Sequence, residues 1–453
     1  MARRTTKKKD LTPEEKLAQA LVPVAEWPYE VPENWCWSFQ GKVSTFYNGR
    51  AYKQTELLKD SSKTPVLRVG NLFTNSSWYY SNLQLEENKY IDNNDLIYAW
   101  SASFGPFIWD GGRVIYHYHI WKVTTTSALV KEYYYYWLLN DTERLKYQGH
   151  GTGMIHVTKE MMEKSIVPLP PLPEQQRIVA RIESLFAKLD EAKEKAQAVV
   201  DGFEERKAAI LHQAFTGELT KEWRKERGIN NQWEECTLIT LLVDKPRNGY
   251  SPKPVDYVTS CKSMTLSATT SGVFKPEYCK YVDEEIPSDS YLWLKPGDIL
   301  IQRANSLDKV GTSALYTGQD HEFIYPDLIM KLSVKENVNC KYIAYYLKTE
   351  RVLRYFRSNA TGTAGNMPKI NQKIVSNTPV SLPCALEQTE IVRLLDSLVD
   401  KQQQARDAAA AVLDQIDTMK KAILARAFRG ELGTNDAGEE SAVELVKSIM
   451  DEV

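Results

Sequence analysis

Apolar residues recur at intervals of four and three over two long stretches of the chain. In the first stretch they are Ile178, Ile182, Leu185, Leu189, Ala192, Ala196, Val199, Phe203 and Ile210. In the second they are Ile391, Leu395, Leu398, Ala405, Ala409, Val412, Ile416, Met419 and Ile423. An apolar residue at about every 3.5 positions is typical of a coiled-coil seam. The pattern predicts two long helices, each about 60 Å long at roughly 1.5 Å per residue. They are expected to pack antiparallel, because this buries both seams; packing of each helix on its own domain is the alternative.

The two stretches are copies of one another. Glu174, Gln175, Ile178 and Val179 recur as Glu387, Gln388, Ile391 and Val392, each 213 positions later. The same offset carries a second set, Lys207, Ile210, Leu211, Ala214, Phe215, Gly217, Glu218 and Leu219, onto Lys420, Ile423, Leu424, Ala427, Phe428, Gly430, Glu431 and Leu432. This period is far longer than the about 20 to 50 residues of solenoid repeats, so the repeating unit is a whole domain plus a long helix. The sequence therefore predicts a pseudo-two-fold molecule.

Strand-like sequence precedes each long helix. The stretches that start at Trp27 and Trp233 are rich in aromatic and β-branched residues, broken by Asn, Gly, Ser and Pro. They predict strands at Asp95–Trp100, Arg113–Val123, Asp298–Ile301 and Leu328–Val334, and helices at Tyr133–Leu139 and Cys340–Phe356. The predicted fold class is α+β, with two similar strand-rich α/β domains separated by two long antiparallel coiled-coil helices.

Changes of texture along the chain predict its segments. They are residues 1–26 (a basic arm and a short helix), 27–170 (first domain), 171–220 (first long helix), 221–232 (linker), 233–383 (second domain), 384–432 (second long helix) and 433–453 (a tail with a short helix). The short helix starts at Thr12, Pro13, Glu14 and Glu15, which combine a capping residue, an early proline and acids in the first turn. No apolar core follows the basic arm, so a signal peptide is not expected.

Composition indicates a soluble globular protein. Of 453 residues, 43% are hydrophobic and 26% are charged, and no apolar run approaches the length of a membrane span. The net charge of −2 argues against a uniformly basic nucleic-acid binder and leaves a local basic surface possible. The six cysteines form no CxxC pair, which is typical of reduced thiols in a cytosolic protein.

Motifs for catalysis or metal binding are missing from the sequence. There is no GxxxxGK[ST], HExxH or GxSxG, and the six histidines show no ligand spacing. His117 and His119 are accordingly given a structural role. The loops at Gly149–Gly153 and 361–366 occupy matching places in the two halves, and they could either donate amides to a phosphate or simply cap a strand. We predict no catalytic residue and no metal site.

A shorter repeat links the fronts of the two domains. Asn48, Gly49 and Lys53 recur as Asn248, Gly249 and Lys253, each 200 positions later. Asn-Gly beside a lysine predicts a turn that presents a cation, which could hold a phosphate while nearby side chains read base edges. The candidate DNA-binding residues are Asn48, Arg50, Lys53, Arg68, Asn71, Ser101, Ser103, Arg247, Asn248, Lys253, Arg303, Asn305, Ser306 and Lys369. Taken singly, each could equally be an ordinary surface group.

These motifs resemble a known family. The segments PVLRVGNL (Pro65–Leu72), DLIYAWSASFGPF (Asp95–Phe107) and GDILIQRANSLDKVG (Gly297–Gly311), the Leu-Pro junctions before each Glu-Gln, and the endings Ala-Phe-Thr-Gly-Glu-Leu and Ala-Phe-Arg-Gly-Glu-Leu carry the likeness. The chain is similar over nearly its whole length to the specificity subunit of type I restriction-modification systems. The resemblance implies two target recognition domains, each reading half of a split DNA site, held apart by the antiparallel helices.

The resemblance also implies partners and a place in the cell. Double-stranded DNA, two adenine methyltransferase subunits and possibly restriction subunits would bind the chain, which is expected to be non-catalytic and cytoplasmic in a bacterium or archaeon. S-adenosylmethionine, ATP and Mg²⁺ are expected on the partner subunits and no cofactor on this chain. No Asn-Pro-Pro-aromatic motif of an adenine methyltransferase occurs here. A coiled-coil scaffold that binds proteins rather than DNA is the alternative function.

Two departures and one docking face complete the predictions. The second domain has Leu266–Ala268 where the first has Arg68–Asn71, so it lacks the equivalent arginine and is expected to read DNA differently. Gln402 replaces the apolar Leu189 in the second seam and could fix the helix register. Partner subunits are predicted to dock on outer helix faces at Glu183, Lys188, Glu191, Lys195, Glu204 and Arg206, with help from Ser441–Met450. A merely solvated charged face is the alternative for each residue.

Overall fold

The chain forms two compact units. The computed structural model describes residues 12–73, 76–101, 103–148, 157–230, 232–362 and 367–450. The first unit comprises Met1–Lys195 and Val412–Val453, and the second comprises Ala196–Ala411. Most of the basic arm, the Gly149–Gly153 loop and residues 363–366 lie outside the described residues. The seven linear segment boundaries stay a prediction.

Strands and helices alternate twice along the chain. The helices are α1 (Pro13–Ala20), α2 (Gln40–Val43), α3 (Val69–Phe73), α4 (Lys131–Gln148), α5 (Lys159–Lys164), α6 (Leu172–Asp201), α7 (Phe203–Phe215), α8 (Lys221–Arg227), α9 (Cys340–Tyr346), α10 (Glu350–Asn359), α11 (Gln372–Ser376), α12 (Ala385–Ala427) and α13 (Ala442–Ser448). The strands are β1 (Cys36–Phe39), β2 (Ser44–Asn48), β3 (Thr64–Leu67), β4 (Tyr79–Ser81), β5 (Tyr90–Ile91), β6 (Leu96–Ser101), β7 (Ser103–Ile108), β8 (Val114–Tyr116), β9 (Ile120–Thr125), β10 (Ile166–Leu169), β11 (Glu234–Thr237), β12 (Arg247–Asn248), β13 (Pro254–Val255), β14 (Cys261–Met264), β15 (Cys279–Val282), β16 (Ile299–Gln302), β17 (Ser313–Leu315), β18 (Phe323–Ile324), β19 (Ile329–Leu332) and β20 (Pro379–Leu382). The helix predicted at Cys340–Phe356 is two helices, α9 and α10.

Two four-stranded sheets build the domain of the first unit. One has the order β2-β9-β6-β7 and is antiparallel throughout. The other has the order β4-β3-β8-β5, in which β3 and β8 run parallel. Strands β1 and β10 pair antiparallel, with Cys36 opposite Leu169, and so join the front of the domain to its end. Trp37, Tyr98 and Trp121 are among the large side chains that fill the core.

The second unit repeats this connectivity. Its sheets have the orders β12-β19-β16-β17 and β13-β15-β14-β18, and β14 runs parallel to β18 as β3 does to β8. Strands β11 and β20 close the domain, with Glu234 opposite Leu382. Apart from the outer strands β5 and β13, each strand has a counterpart in the other unit. The predicted α+β class with two similar strand-rich domains is confirmed.

The long helices pair antiparallel within each unit, as predicted. In the first unit, Ile178 near the start of α6 packs in one cluster with Phe428 just after α12, while Asp190 pairs with Lys420 at 2.6 Å. In the second unit, Leu211 of α7 packs with Ile391 near the start of α12. Positions rise along one helix as they fall along the other. The coiled-coil seam is therefore buried by the partner helix.

The first long helix is interrupted at Gly202, which the sequence did not predict. A Cβ at this glycine would lie 2.4 Å from Nη1 of Arg206. Glycine lets this guanidinium fold back over the helix, where it donates to the Val199 carbonyl and, at 2.9 Å, to Oε1 of Gln402. Gln402 is thus the polar seam position that the sequence predicted, and its partner is Arg206.

Three predicted seam residues of α12 face solvent. Val412 and Met419 are 42% and 44% exposed, and Ala405 is also exposed. Leu413 is partly buried in place of Val412. The predicted positions between these three residues stay buried, so the seam differs from the prediction only at every second position of this stretch.

A buried glutamate fixes the start of α6. Glu174 is fully buried, and its Oε2 accepts hydrogen bonds from Nε1 of Trp35 at 2.7 Å and from Nδ2 of Asn435 at 2.8 Å. Burial raises the pKa of the Glu174 carboxyl above its ordinary value. The next residue, Gln175, accepts the backbone N–H of Val130 at 2.8 Å. The repeated Glu-Gln pair therefore has a structural role.

The equivalent glutamate at the start of α12 has a charged partner. Glu387 accepts hydrogen bonds from Nε1 of Trp233 at 3.2 Å, from the hydroxyl of Thr220 at 2.7 Å and from the guanidinium of Arg224. The Arg224 side chain is 7% exposed and that of Glu387 is 1% exposed. A buried ion pair thus takes the place of the neutral hydrogen bonds around Glu174.

This difference predicts unequal costs of removing the two glutamates. Glu387→Ala leaves Arg224 buried without its counter-charge, and we expect a loss of about 3–5 kcal/mol in the free energy of unfolding of the second unit. Glu174→Ala leaves one buried neutral donor, Nε1 of Trp35, unpaired at a cost of about 1–3 kcal/mol, because the exposed Asn435 can bond to water instead. Hydrogen-exchange mass spectrometry on the full chain measures each unit separately. Equal losses in the two variants would contradict the assignment.

Candidate nucleic-acid interface

One end of the first unit brings together residues from four segments of the chain. Three backbone hydrogen bonds join them: Tyr118 N to Arg50 O at 3.1 Å, His117 N to Leu67 O at 2.9 Å, and Trp100 N to His119 O at 3.1 Å. Arg68 follows β3 directly, and residues 117–119 form the turn between β8 and β9. We refer to Arg50, Arg68, Trp100, His117, Tyr118 and His119 as the first-unit cluster.

Aromatic rings form the floor of the first-unit cluster. Trp100 stacks on Trp121 with ring centroids 5.5 Å apart, and its Nε1 donates to the Tyr118 carbonyl at 2.9 Å. The His119 ring meets Trp100 edge-on at 5.1 Å. Tyr118 is 39% exposed on this floor. The arrangement offers a rigid aromatic surface with one ring open to solvent.

Two arginines are held at the edge of the cluster. Nη2 of Arg68 donates to the Ser77 carbonyl at 3.0 Å, and its guanidinium carbon lies 4.4 Å from the centre of the Tyr79 ring. Arg50 pairs with Glu56 at 2.8 Å. Nε of Arg68 and Nη1 of Arg50 are buried and have no hydrogen-bond partner among the described residues. The other contacts hold both guanidinium groups at the edge of the cluster.

His117 is the neutral group of the cluster. Burial, the neighbouring His119 and the positive charge of Arg68 lower its pKa to about 4. At neutral pH the imidazole therefore carries one N–H donor and one acceptor nitrogen. Such a pair can match the donor and acceptor atoms on the edge of a base.

Backbone hydrogen bonds align the same end of the second unit. Gly49 N donates to Ile120 O at 3.2 Å, and Gly249 N donates to Ile329 O at 3.1 Å. Trp100 N donates to His119 O, and Arg303 N donates to Leu328 O at 2.9 Å. Arg303, directly after β16, thus occupies the place of Trp100 on β6.

The second unit presents its arginine from the end of a different strand than the first unit does. The position of Arg68, just after β3, corresponds to Thr265 just after β14, so the predicted lack of an equivalent arginine is confirmed. Arg303, directly after β16 in the other sheet of this unit, supplies a guanidinium instead. The two units therefore present arginine at the same end of the same framework from different positions.

The second-unit cluster consists of Arg303, Asn305, Ser306 and Lys369. Backbone hydrogen bonds from Ile370 N to Arg303 O at 2.8 Å and from Asn305 N to Pro368 O at 3.4 Å bring these segments together. Nδ2 of Asn305 donates to the buried Gln302 at 2.6 Å, which fixes this residue. Ser306 and Lys369 are exposed. Four of the predicted residues are thus neighbours.

The Asn-Gly pairs do not form the predicted turns. Asn48 and Asn248 end strands β2 and β12, and a Cβ on Gly49 or Gly249 would lie 2.3 Å from His117 O or 2.0 Å from Tyr325 O. Glycine is required because two backbones cross closely. Oδ1 of Asn48 accepts the indole N–H of Trp121 at 2.5 Å, which gives this asparagine a structural role.

Other predicted residues lie in varied surroundings. Ser101 is only 1% exposed, which leaves no side-chain surface for a base contact and corrects its assignment. Asn71 bonds to the Arg68 N–H at 3.1 Å and to the Ser77 carbonyl at 2.9 Å, so it supports Arg68. Arg247 pairs with Asp244 at 3.2 Å. Ser103 and Asn248 are partly buried, whereas Lys53 and Lys253 are exposed.

Five of the six predicted partner-binding residues are exposed. They are Glu183, Lys188, Glu191, Lys195 and Glu204. Glu191 and Lys195 form an exposed pair at 2.5 Å, which lowers the pKa of Glu191. Arg206 instead makes its contacts inside the chain, with Val199 and Gln402. A docking role for Arg206 would have to break these contacts.

The sequence did not predict that the His117–His119 turn lies in the first-unit cluster, and the structural role given to both histidines stays a prediction. A signal was present, because His-Tyr-His interrupts the apolar run Arg113–Val123 at the place where two strands meet. Tyr250, which corresponds to Arg50 and is 45% exposed, was also missed. Within the described residues no group of three His, Cys, Asp or Glu could hold a metal ion, and no helix is long and apolar enough to span a membrane.

Comparisons of the sequence and of the fold with known proteins all indicate the same family. The family model described as type I restriction modification DNA specificity domain matches residues 32–200 and 263–408. The specificity subunit of the type I restriction enzyme EcoKI from Escherichia coli (strain K12) is 24% identical over 451 residues, covering 93% of this chain and 96% of that protein. The MjaVIII specificity subunit from Methanocaldococcus jannaschii is 21% identical over 398 residues, covering 84% and 85%. The solved HsdS subunit from Thermoanaerobacter tengcongensis shares the fold, with a TM-score of 0.62 at 19% identity over 90% of this chain and 100% of that one.

The low pKa of His117 predicts acid sensitivity of the first unit. The folded protein binds fewer protons here than the unfolded chain, so the stabilising contribution is complete above the ordinary value of 6.5 and is lost as the pH falls towards about 4. We expect His117→Phe to lessen the acid destabilisation of the first unit. Hydrogen exchange at several pH values checks this, with the second unit as the internal control. Identical pH profiles in variant and wild type would contradict the environment assigned to His117.

Proposed function

The chain belongs to the type I restriction modification DNA specificity family, and we propose that it selects a two-part DNA sequence for modification. Each unit reads one half of that sequence with the cluster at the end of its sheets. The observation that carries the proposal is one strand order built twice, with different side chains presented at the same end. Two different sets of side chains on the same framework of strands suit two different half-sites.

The first-unit cluster has groups for direct base readout. Arginine donates two hydrogen bonds to the major-groove edge of guanine, and a neutral imidazole can both donate and accept. Arg68 and His117 supply these groups, and the low pKa of His117 keeps its ring neutral. The exposed Tyr118 ring offers apolar contact beside them. This combination favours a half-site that contains a purine.

In the second-unit cluster, different residues suit base contacts and phosphate contacts. Arg303 is the group suited to guanine, because its Nη1 is only weakly engaged by the Asp327 carbonyl at 3.4 Å. Ser306 and Lys369 are exposed beside it and suit phosphate oxygens, which fix register without reading sequence. The half-site read by this unit therefore differs from that read by the first.

Partner subunits carry out the chemistry in this proposal. Two adenine methyltransferase subunits, which use S-adenosylmethionine, dock on the charged helix faces that include Glu183, Lys188 and Glu191. Restriction subunits that use ATP and Mg²⁺ join the same assembly. The chain itself binds no cofactor and acts in the cytoplasm of a bacterium or archaeon. The exposure of these charged side chains supports the docking role.

The test is the pattern of adenine methylation in cells that express the chain with its methyltransferase. We expect the wild type to give one bipartite motif, Arg68→Ala to relax one half and Arg303→Ala to relax the other. Each lost bidentate contact is worth about 1–3 kcal/mol of discrimination. Genome-wide methylation sequencing reads both halves in one experiment.

A matched control uses a distant cation of the first unit. Lys164 on α5 has a 73% exposed side chain, and Lys164→Ala should leave the motif intact. Relaxation of the same half by both arginine variants would contradict the division between units. A methylation pattern unchanged by deletion of the chain would favour a protein-binding scaffold instead.

A further inference from the structure

A cavity of about 430 Å³ lies in the second unit, and the DNA-reading role does not use it. One face of α7, with Lys207, Leu211 and Phe215, forms one wall. The opposite side is formed by the break between α9 and α10, the start of β17 and residues 270–272. Its size falls within the about 300–1,000 Å³ of small-molecule sites.

The lining contains two lysines that form no ion pair, together with the exposed acid Glu204. The Lys348 ammonium lies 5.5 Å from the centre of the Tyr345 ring, and it makes no hydrogen bond or ion pair with another described residue. Lys207 likewise has no ion pair in this part of the chain. Burial and the charge of Lys207 lower the pKa of Lys348 to about 8. The acid Glu350 is already paired with Arg357 at 2.8 Å.

A buried hydroxyl also lacks a partner. Ser313 lines the cavity and is 1% exposed, yet its Oγ makes no hydrogen bond with any described group. A Cβ on Gly272 would lie 3.7 Å from Ser313 O and 3.9 Å from Cε of Lys348, so the two residues converge on this glycine. An unpaired buried hydroxyl lowers stability, and a ligand with acceptor oxygens would supply the missing hydrogen bond.

The start of α10 adds backbone donors. Thr349 precedes this helix without capping it, because its hydroxyl donates to the Tyr346 carbonyl at 2.8 Å instead. The first N–H groups of a helix attract anions, and residues 349–351 line the cavity. Lysines, a free hydroxyl and an uncapped helix start together favour phosphate.

The first unit lacks this chemistry at the same positions. The hydroxyls of Tyr133 and Tyr342 donate to the equivalent carbonyls of Pro168 and Ser381, which aligns Lys348 with Leu139. Strand pairing aligns Ser313, opposite Ile301, with Pro106, opposite Tyr98. The helix α4 also continues where α9 and α10 are broken. The polar lining is therefore not needed to join helix and domain.

We propose that the cavity binds a small organic phosphate, with Lys348, Lys207 and Ser313 facing the phosphate group. Phe215, Leu211 and Tyr346 offer an apolar wall for the body of the ligand. A molecule of nucleotide size fits this combination of volume and lining.

The test is protection of Lys348 from acylation in the full-length chain. Acetic anhydride labels lysines at rates read by mass spectrometry, with adenosine 5′-monophosphate and inorganic phosphate as probes. We expect labelling of Lys348 to be about tenfold slower at a probe concentration ten times its dissociation constant, while the exposed Lys53 is unaffected. Sodium chloride at equal ionic strength should give no protection.

Two variants separate binding from folding. Lys348→Leu introduces the residue found at this place in the first unit, and calorimetry should show binding of adenosine 5′-monophosphate abolished. Ser313→Ala keeps both lysines and should weaken binding several-fold, whereas Lys280→Leu, at an exposed lysine outside the cavity, should leave it unchanged. Absence of protection by both probes, or protection by chloride, overturns the proposal. Protection by duplex DNA but not by the nucleotide also overturns it, because the phosphate would then be that of the DNA backbone.

Discussion

A buried carboxylate at the start of each long helix is the interaction on which both units depend. Glu174 is hydrogen-bonded to Trp35 at the front of its domain and to Asn435 beyond the end of the other long helix. Glu387 makes the same connections through Trp233 and Thr220. A carboxylate can be buried only when it is well paired. In each unit, the buried carboxylate at the start of one long helix therefore needs a hydrogen-bond partner from just beyond the end of the other long helix. This requirement forces the two helices of the unit to pair antiparallel.

This constraint leaves the reading end of each sheet free to change. The clusters are shaped by backbone hydrogen bonds and by the close crossings at Gly49 and Gly249, which do not depend on neighbouring side chains. Arginine can therefore move from the end of β3 to the end of β16 while the strand order is kept. Specificity can vary without any cost to the helices or their junctions.

The sequence predicted the helices, which follow from a regular spacing of apolar residues. It did not predict features that depend on contacts between residues distant in the chain. The repeat of Glu174 as Glu387 and the spacing of Ile178 and Ile182 identified the helices, because burial on one helix face leaves a regular pattern. The break at Gly202 was not predictable, since it serves the contact between Arg206 and Gln402. Nor was the position of the His117–His119 turn next to Arg68, which arises only when β3 and β8 pair in parallel. The Asn-Gly pairs led to a wrong prediction of turns. Their glycines are required instead because two backbones cross closely there.

The two units also differ in how well they satisfy their buried groups. At the junction of helix and domain, the first unit uses Leu139 and Pro106, which require no partner. The second unit places Lys348 and Ser313 there, and neither makes a hydrogen bond with a described residue. Of the two, the Ser313 hydroxyl is the buried unpaired group, and such a group lowers stability, whereas the equivalent Pro106 of the first unit has no hydroxyl to satisfy. An arrangement that costs stability and that the fold does not need is best explained by a ligand that completes it.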